Sequence, residues 1–249
     1  MTRRCFAHRG HINCVKFSSP DSSVLLSGAE DKAVHLWDLR ARPGKPTLTL
    51  DEARDSITSI DVHSDGFAIV TGSVDGCVRT YDLRQGELSE DNLSSPVTNV
   101  SISHNNDCVL ASCMRQATDK THLTVELSDI RSRTSSDTNA KCINRNGGAV
   151  RLLEWSSGEQ LCAYSGHTHT SYPLQSAFMS TDRYVVGADE SGCARIWELV
   201  SGKEVRKMSH KSHENPELAT EVCGLDTNPQ LFGKEILTAC FDGTVRVWG

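Results

Sequence analysis

The chain has 249 residues, a formal net charge of −6 and 37% hydrophobic residues. This length fits one large domain or two small ones, and the hydrophobic content is too high for a disordered protein. The negative charge argues against broad nucleic-acid binding, which needs a basic face against the phosphates. No stretch approaches the roughly 18 apolar residues of a membrane span. We therefore expect neither membrane insertion nor a secretory signal.

The chain contains ten cysteines, and none of them belongs to a CxxC pair. Several lie within apolar, strand-like runs, such as Cys14 in INCV and Cys240 in TACF. Buried free thiols that act as small hydrophobic side chains explain this placement better than disulfides do. Reduced thiols are typical of the cytosol and nucleus, so we expect the protein in those two compartments.

A strand–turn–strand unit recurs along the sequence. Five copies are visible, two of them weak: 27–38, 71–82, 111–113 continued at 149–154, 187–198 and 238–249. Apolar and β-branched residues flank a tight polar turn, which is typical of a β-hairpin. Further strand-like runs precede most copies, including 57–62 and 97–102. The pattern predicts an all-β chain of five units of about 45 residues, the length of a four-stranded propeller blade.

The first unit resembles the WD-repeat family in its polar residues, which are Gly10-His11, Ser27, Asp31 and Trp37-Asp38. In that family a histidine, a strand serine or threonine, a turn aspartate and a tryptophan form a buried hydrogen-bonded tetrad. The resemblance implies tetrad members in four units: His11, Ser27, Asp31 and Trp37; Thr71, Asp75 and Tyr81; His167 and Trp197, with Ser191 at the aspartate position; and Thr238, Asp242 and Trp248.

These residue types also occur in catalytic Ser-His-Asp sites. However, the set recurs along the chain, and in a scaffold each buried polar member would satisfy its neighbour. The sequence has no glycine-rich phosphate loop, no HExxH and no GxSxG. We therefore predict a non-enzymatic protein without a cofactor or a bound metal.

The predicted repeats divide a single domain into five consecutive ranges: 1–50, 51–93, 94–162, 163–208 and 209–249. A polar stretch at 114–146 interrupts the third repeat, and we expect it to be a disordered loop or, equally, a retained non-coding segment in the gene model. Residues 4–7 stand where an outermost strand belongs and are expected to complete the last blade. Seven blades would need about 300 residues. The chain is thus predicted to be either a five-bladed ring or an incomplete seven-bladed propeller, and we favour the second interpretation.

Three segments carry a closer resemblance: 49–55 (TLDEARD), 71–88 (TGSVDGCVRTYDLRQGEL) and 94–98 (SSPVT). They are similar to the mitogen-activated protein kinase organizer family, whose members are WD-repeat scaffolds with seven repeats. The resemblance implies assembly of extracellular-signal-regulated kinase complexes and association with spliceosomal complexes during pre-messenger-RNA splicing. The implied partners are kinase-cascade components, spliceosomal proteins or both, with no direct contact to nucleic acid.

Two arginines keep an alternative open. Arg40 and Arg84 follow WDL and YDL at equivalent places in consecutive units. This element resembles that of substrate receptors for cullin-four ubiquitin ligases, in which the arginine contacts the ligase adaptor. Pairing of each arginine with a neighbouring aspartate is the simpler interpretation.

Other polar residues also recur or cluster. Arg79, Arg195 and Arg246 share one strand position, which His35 occupies in the first unit, and this repetition predicts ion pairs between blades. The segments 167–169 (HTH) and 210–213 (HKSH) contain possible metal ligands. No cysteine or carboxylate lies beside them at zinc-site spacing, so we expect both segments to be solvated loops.

Overall fold

The computed structural model describes residues 7–18, 23–41, 44–115, 148–210, 221–228 and 235–249. These ranges form strands joined by turns, with no helix long and apolar enough to cross a membrane. Most of the predicted edge strand at 4–7 and most of the predicted loop at 114–146 lie outside the described residues. Their structure therefore stays a prediction.

The described strands form five antiparallel sheets, in each of which strands that follow one another in sequence are neighbours. Blade 1 contains β1 (Ile12–Phe17), β2 (Val24–Ala29), β3 (Val34–Asp38) and β4 (Leu48–Leu50). Blade 2 contains β5 (Ile57–Val62), β6 (Ala68–Ser73), β7 (Cys77–Asp82) and β8 (Glu87–Asn92). Blade 3 contains β9 (Val97–Ile102), β10 (Cys108–Cys113), β11 (Ala149–Glu154) and β12 (Gln160–Tyr164). Blade 4 contains β13 (Ser176–Phe178), β14 (Tyr184–Asp189), β15 (Cys193–Glu198) and β16 (Glu204–Ser209). Blade 5 contains β17 (Val222–Thr227), β18 (Ile236–Cys240) and β19 (Val245–Trp248).

The predicted all-β fold is confirmed, and the strands predicted at 57–62 and 97–102 coincide with β5 and β9. These runs form strands because their β-branched side chains suit a pleated, half-buried surface. The turns follow from local chemistry as well. Between β6 and β7, Asp75 accepts a hydrogen bond from the Cys77 backbone N–H at 3.0 Å, and Gly76 adopts a φ of 86°. Only glycine takes that backbone conformation without steric cost.

The polar stretch in the third repeat joins two strands that pair directly. Cys113 at the end of β10 lies opposite Ala149 at the start of β11 in the antiparallel register. The chain therefore leaves and re-enters the blade at adjacent positions, so a long insertion there leaves the pairing of β10 and β11 intact.

A repeated polar side chain ties each of the first three innermost strands to the next blade. Asn13 donates to the Ile57 carbonyl at 2.7 Å, and Thr58 donates to the Val97 carbonyl at 2.8 Å. Thr98 donates to the carbonyl of a residue just before β13 at 3.1 Å. All three occupy the second position of their strand. Apolar side chains also pack between the blades, and their removal from water helps to hold the blades together.

The two terminal blades each carry exposed apolar side chains. Val15 and Phe17 of β1 are 63% and 56% exposed, and Val245 and Val247 of β19 are 63% and 69% exposed. Successive innermost strands contact one another from β1 to β17, whereas the described parts of β17 and β1 share no comparable contact. The prediction that the chain is part of a seven-bladed propeller therefore stays a prediction.

Candidate functional site

A hydrogen-bonded tetrad closes the turn of blade 1. His8 Nδ1 lies 3.0 Å from Asp31 Oδ1, and His8 Nε2 lies 2.8 Å from Ser27 Oγ. Trp37 Nε1 donates to the same Ser27 Oγ at 2.8 Å. The prediction of Ser27, Asp31 and Trp37 therefore agrees with the geometry. The predicted histidine is wrong, because His8 takes the place that was assigned to His11.

The position of His11 explains this correction. It immediately precedes β1, its backbone carbonyl accepts a hydrogen bond from Glu30 N–H at 2.9 Å, and its side chain is exposed. His8 lies three residues earlier, in the loop that leads into the strand, and its ring stacks on His35 at 4.1 Å. The sequence HRGH offers two histidines, and only the path of the loop decides between them.

Blade 2 replaces the histidine with an arginine. Arg79 is fully buried and pairs with Asp75 Oδ2 at 2.8 Å and with Glu90 Oε2 at 3.0 Å. Desolvation opposes the charged form, but the two carboxylates outweigh it and raise the pKa of Arg79. The other two predicted tetrad members of this unit are also buried. Tyr81 is 5% exposed and burial raises its pKa, and Thr71 is fully buried. Both carboxylates that pair with Arg79 belong to blade 2, so the predicted pairing between blades is wrong for Arg79.

Blade 4 also uses an arginine, with the carboxylate moved by two residues. Asp189 is fully buried, accepts the Ser191 backbone N–H at 2.8 Å and pairs with Arg195 at 2.9 Å, again within one blade. Gly187 takes the position of the strand hydroxyl. A Cβ there would lie 2.8 Å from the Trp197 ring, so the absence of a side chain at Gly187 leaves room for the indole. Ser191 therefore does not replace the missing carboxylate, which Asp189 supplies.

The histidines of segment 167–169 are buried, contrary to the predicted solvated loop. His167 is 2% exposed and His169 is fully buried, with ring centroids 6.2 Å apart. Neither ring nitrogen of His167 has a hydrogen-bonding partner among the described residues. Burial, together with the neighbouring His169, lowers the pKa of His167 to about 4, and burial lowers that of His169 to about 4 as well. Both rings are therefore neutral at physiological pH.

Blade 5 contains a tetrad histidine that was not predicted. His210 is fully buried, its Nε2 lies 2.5 Å from Thr238 Oγ1, and Trp248 Nε1 donates to the same oxygen at 2.7 Å. The segment 210–213 was predicted to be solvated, which is wrong for His210. Asp242 accepts the backbone N–H and the hydroxyl of Thr244, at 2.8 Å and 2.6 Å. Sequence reasoning missed His210 because no Gly-His dipeptide marks it.

Arg246 is the one member of the repeated arginine position that reaches a neighbouring blade, among the residues that the structure describes. It donates at 3.2 Å to the backbone carbonyl of Ser209, the last residue of β16 in the preceding blade, and at 3.0 Å to that of His210, the next residue. The predicted contact between blades thus occurs here with backbone oxygens rather than with an acidic side chain.

An exposed aromatic pair lies on the face that carries these turns. Tyr172 and Phe241 are 41% and 52% exposed, with ring centroids 5.3 Å apart, and they come from the loop before β13 and the turn between β18 and β19. Glu190 holds the first loop by accepting the backbone N–H groups of Ser171, Thr170 and Tyr172 at 2.6–3.0 Å. Desolvation alone would raise the pKa of Glu190, but these hydrogen bonds lower it.

Two sequence families match this architecture. Residues 2–150 match the model of the nucleolar protein 10-like N-terminal domain, a β-propeller, and residues 205–249 match the WD domain, G-beta repeat. The chain belongs to the nucleolar protein 10-like family of WD-repeat β-propellers. WD-repeat propellers serve in general as protein-interaction scaffolds.

Known relatives share this repeat type. The WD repeat domain-containing protein 83 homolog of Dictyostelium discoideum is 31% identical over 254 residues, which cover 92% of this chain and 66% of the relative. WD repeat domain-containing protein 83 of Rattus norvegicus is 35% identical over 163 residues, which cover 66% of this chain and 41% of the relative. The chain therefore spans between 41% and 66% of the lengths of these relatives.

A solved structure supports the fold. The crystal structure of the computationally designed Ika8 protein matches 99% of this chain and 60% of its own chain, with a TM-score of 0.67. At 19% sequence identity this similarity shows the fold alone.

The predicted partner-binding arginines of this WD-repeat propeller lie on the opposite face from the aromatic pair. Arg40 contacts Asp38 at 3.1 Å, with 66% of its side chain exposed. Arg84 lies 3.7 Å from Asp65 and over the Phe67 ring, 4.0 Å from its centroid, with 57% of its side chain exposed. Each arginine therefore has a neighbouring aspartate, as the simpler interpretation predicts, and each also remains accessible to a protein partner.

Proposed function

We propose that this WD-repeat propeller is a non-enzymatic scaffold for other proteins, and that the pair Tyr172–Phe241 belongs to a docking surface. The aromatic pair is the observation that carries the proposal. Aromatic side chains dominate the energetic centres of protein interfaces, because they bury much apolar area at little entropic cost. This pair is exposed although its loop is held in place by Glu190.

The polar networks beneath this face support the same function. Asp75 pairs with Arg79 at 2.8 Å and Asp189 pairs with Arg195 at 2.9 Å, while Asp31 accepts a hydrogen bond from His8 at 3.0 Å. Carboxylates that are paired in this way hold turns in place, whereas a general acid or base needs access to a substrate. The networks thus act as rigid supports for the loops, which present the side chains that a partner would contact.

The finer proposal is that the scaffold assembles extracellular-signal-regulated kinase complexes and also associates with spliceosomal complexes in pre-messenger-RNA splicing. It rests on the resemblance of segments 49–55, 71–88 and 94–98. Such a protein would act in the cytoplasm and the nucleus, through protein partners and without direct contact to nucleic acid or insertion into a membrane.

Mass spectrometry of proteins that co-purify with the tagged chain from its own cells tests both levels. We expect kinase-cascade or spliceosomal proteins with the wild type and their loss with Tyr172→Ser/Phe241→Ser. Phe67→Ser is the matched control, since Phe67 is 45% exposed on the opposite face. Equal recovery of those partners with both variants would exclude the aromatic pair as the docking surface. Absence of both partner classes from the wild type would exclude the finer proposal.

A substrate receptor of a cullin-four ubiquitin ligase is the second candidate. The equivalent, exposed guanidinium groups of Arg40 and Arg84 favour it. The double variant Arg40→Ala/Arg84→Ala would then lose the ligase adaptor from the purified complex. Unchanged recovery of that adaptor, or none with the wild type, would exclude this candidate.

A further inference from the structure

Three side chains of different donor chemistry converge in blade 5. His210, Cys240 and Asp242 each offer one ligand atom, a ring nitrogen, a thiol sulfur and a carboxylate oxygen, and these atoms lie within 4.8 Å of one another. His210 is fully buried and Cys240 is 6% exposed. Asp242 is partly exposed, so the cluster opens to solvent on its side.

A tight turn holds two of the three donors. Cys240 ends β18 and Asp242 lies two residues later, before β19 begins. The Cys240 backbone N–H donates to the Thr244 carbonyl at 3.0 Å, and the Gly243 N–H donates to the Cys240 carbonyl at 3.1 Å. Gly243 has a φ of 81°, which a residue with a side chain rarely adopts. The turn thereby keeps the thiol and the carboxylate close to His210.

The third donor, His210, is oriented from behind. Its Nε2 faces Thr238 Oγ1 at 2.5 Å, whereas its Nδ1 faces Thr244 Oγ1 at the longer distance of 3.5 Å. A metal-binding histidine characteristically donates its other ring N–H to a fixed oxygen, which sets the tautomer. Thr238 is such an oxygen, and it leaves the Nδ1 lone pair directed toward the turn. Thr244 contacts Oδ1 of Asp242, so Oδ2 is the oxygen that can act as a ligand.

Blade 1 has the same architecture and differs at the decisive positions. Its register places Ala29 opposite Ile12, as Cys240 lies opposite Val222 in blade 5. Its His8 Nδ1 contacts Asp31 directly at 3.0 Å, so hydrogen bonds occupy both ring nitrogens. The tetrad of blade 1 thus forms without a thiol. Blade 5 has a thiol beside His210, whose Nδ1 makes only the longer contact of 3.5 Å with Thr244.

We propose that His210, Cys240 and Asp242 bind one zinc ion, or a divalent transition metal of similar chemistry, with water as the fourth ligand. Nitrogen, thiolate and carboxylate donors are the set that zinc prefers in tetrahedral sites. With metal–ligand bonds of about 2.0–2.3 Å, the ligand atoms would stand roughly 3.3–3.8 Å apart. Side-chain rotations that close about 1 Å would satisfy this geometry. The metal displaces the thiol proton of Cys240, which passes to solvent.

Cobalt(II) titration of the full chain, followed by optical absorption, tests the site. Tetrahedral cobalt shows visible bands, and a thiolate ligand adds a near-ultraviolet charge-transfer band. We expect one cobalt per chain, a charge-transfer band, and displacement by zinc. Cys240→Ala should abolish that band without unfolding the chain, because Ala29 occupies the same register position in blade 1. Asp242→Asn should weaken binding about tenfold or more.

Cys223→Ala is the matched control, since it removes a neighbouring, partly buried thiol of the same blade. It should leave the charge-transfer band and the stoichiometry unchanged. A band that persists in Cys240→Ala, or that disappears in Cys223→Ala alone, would place the metal elsewhere and overturn the proposal. Wild type that shows neither a charge-transfer band nor a zinc-dependent rise in melting temperature would overturn it as well.

Discussion

Removal of the Asp31 carboxylate should destabilise the chain through the tetrad of blade 1. Asp31 accepts hydrogen bonds from His8 Nδ1 at 3.0 Å, from the Arg9 backbone N–H at 2.7 Å and from the Ala33 backbone N–H at 3.3 Å. In Asp31→Ala all three donors lose this acceptor. The effect of each loss depends on whether water can replace the carboxylate.

The donors differ in this respect. The His8 side chain is only 4% exposed, so its Nδ1–H would remain buried without an acceptor. The Arg9 contact is exposed, and water can replace the carboxylate there. A buried, unsatisfied donor costs about 1–3 kcal/mol, which we take as the expected loss in the free energy of unfolding. In a chain of this size, that loss lowers the melting temperature by roughly 2–12 °C.

The assay is urea unfolding followed by tryptophan fluorescence, because Trp37 belongs to the same network. Asp51→Ala is the matched control, since Asp51 is exposed, and it should change stability by less than about 0.5 kcal/mol. His8→Ala combined with Asp31→Ala should cost less than the sum of the two single variants, as expected for residues in one network. Asp31→Ala within about 0.5 kcal/mol of the wild type would refute the reasoning.

Three further predictions follow from buried groups and from strand register. Arg79→Met should cost about 1–3 kcal/mol in urea unfolding, because it removes the cation that pairs with the partly buried Asp75, whereas Arg40→Ala should cost less than about 0.5 kcal/mol; equal effects would contradict the structure. The low pKa values of His167 and His169 mean that their contribution to stability is complete above about pH 6.5 and is lost as the pH falls toward 4. Each contributes a slope of about 1.4 kcal/mol per pH unit, so the wild type should lose about 2–3 kcal/mol between pH 7.5 and 5.5, and a flat profile would refute this. Replacement of residues 116–147 by a short glycine–serine turn should preserve the melting temperature or raise it slightly, since the ends of the flanking strands are adjacent, and aggregation of the shortened chain would show that the segment is needed.

The fold was predictable because its determinants are local. Alternating apolar residues and tight turns recur at blade spacing, so β5 and β9 could be assigned from sequence to the residue. The two halves of the third repeat could also be joined across the polar stretch, because the runs 111–113 and 149–154 are both apolar. In the structure they pair in antiparallel register. Such patterns depend on neighbours within a few residues, and they persist wherever the repeat lies in the chain.

By itself, then, the sequence determined the all-β repeat architecture, the recurring turns and most of the strand hydroxyls and tryptophans beneath them. Only the tertiary structure decided which polar side chains meet. It placed His8 rather than His11 against Asp31, and it brought His210 to Cys240 and Asp242, about 30 residues away along the chain. Spacing along the sequence indicated no metal ligands beside that histidine. Contacts across a blade depend on loop paths and on strand register, and these follow from the packing of the whole sheet rather than from any local pattern.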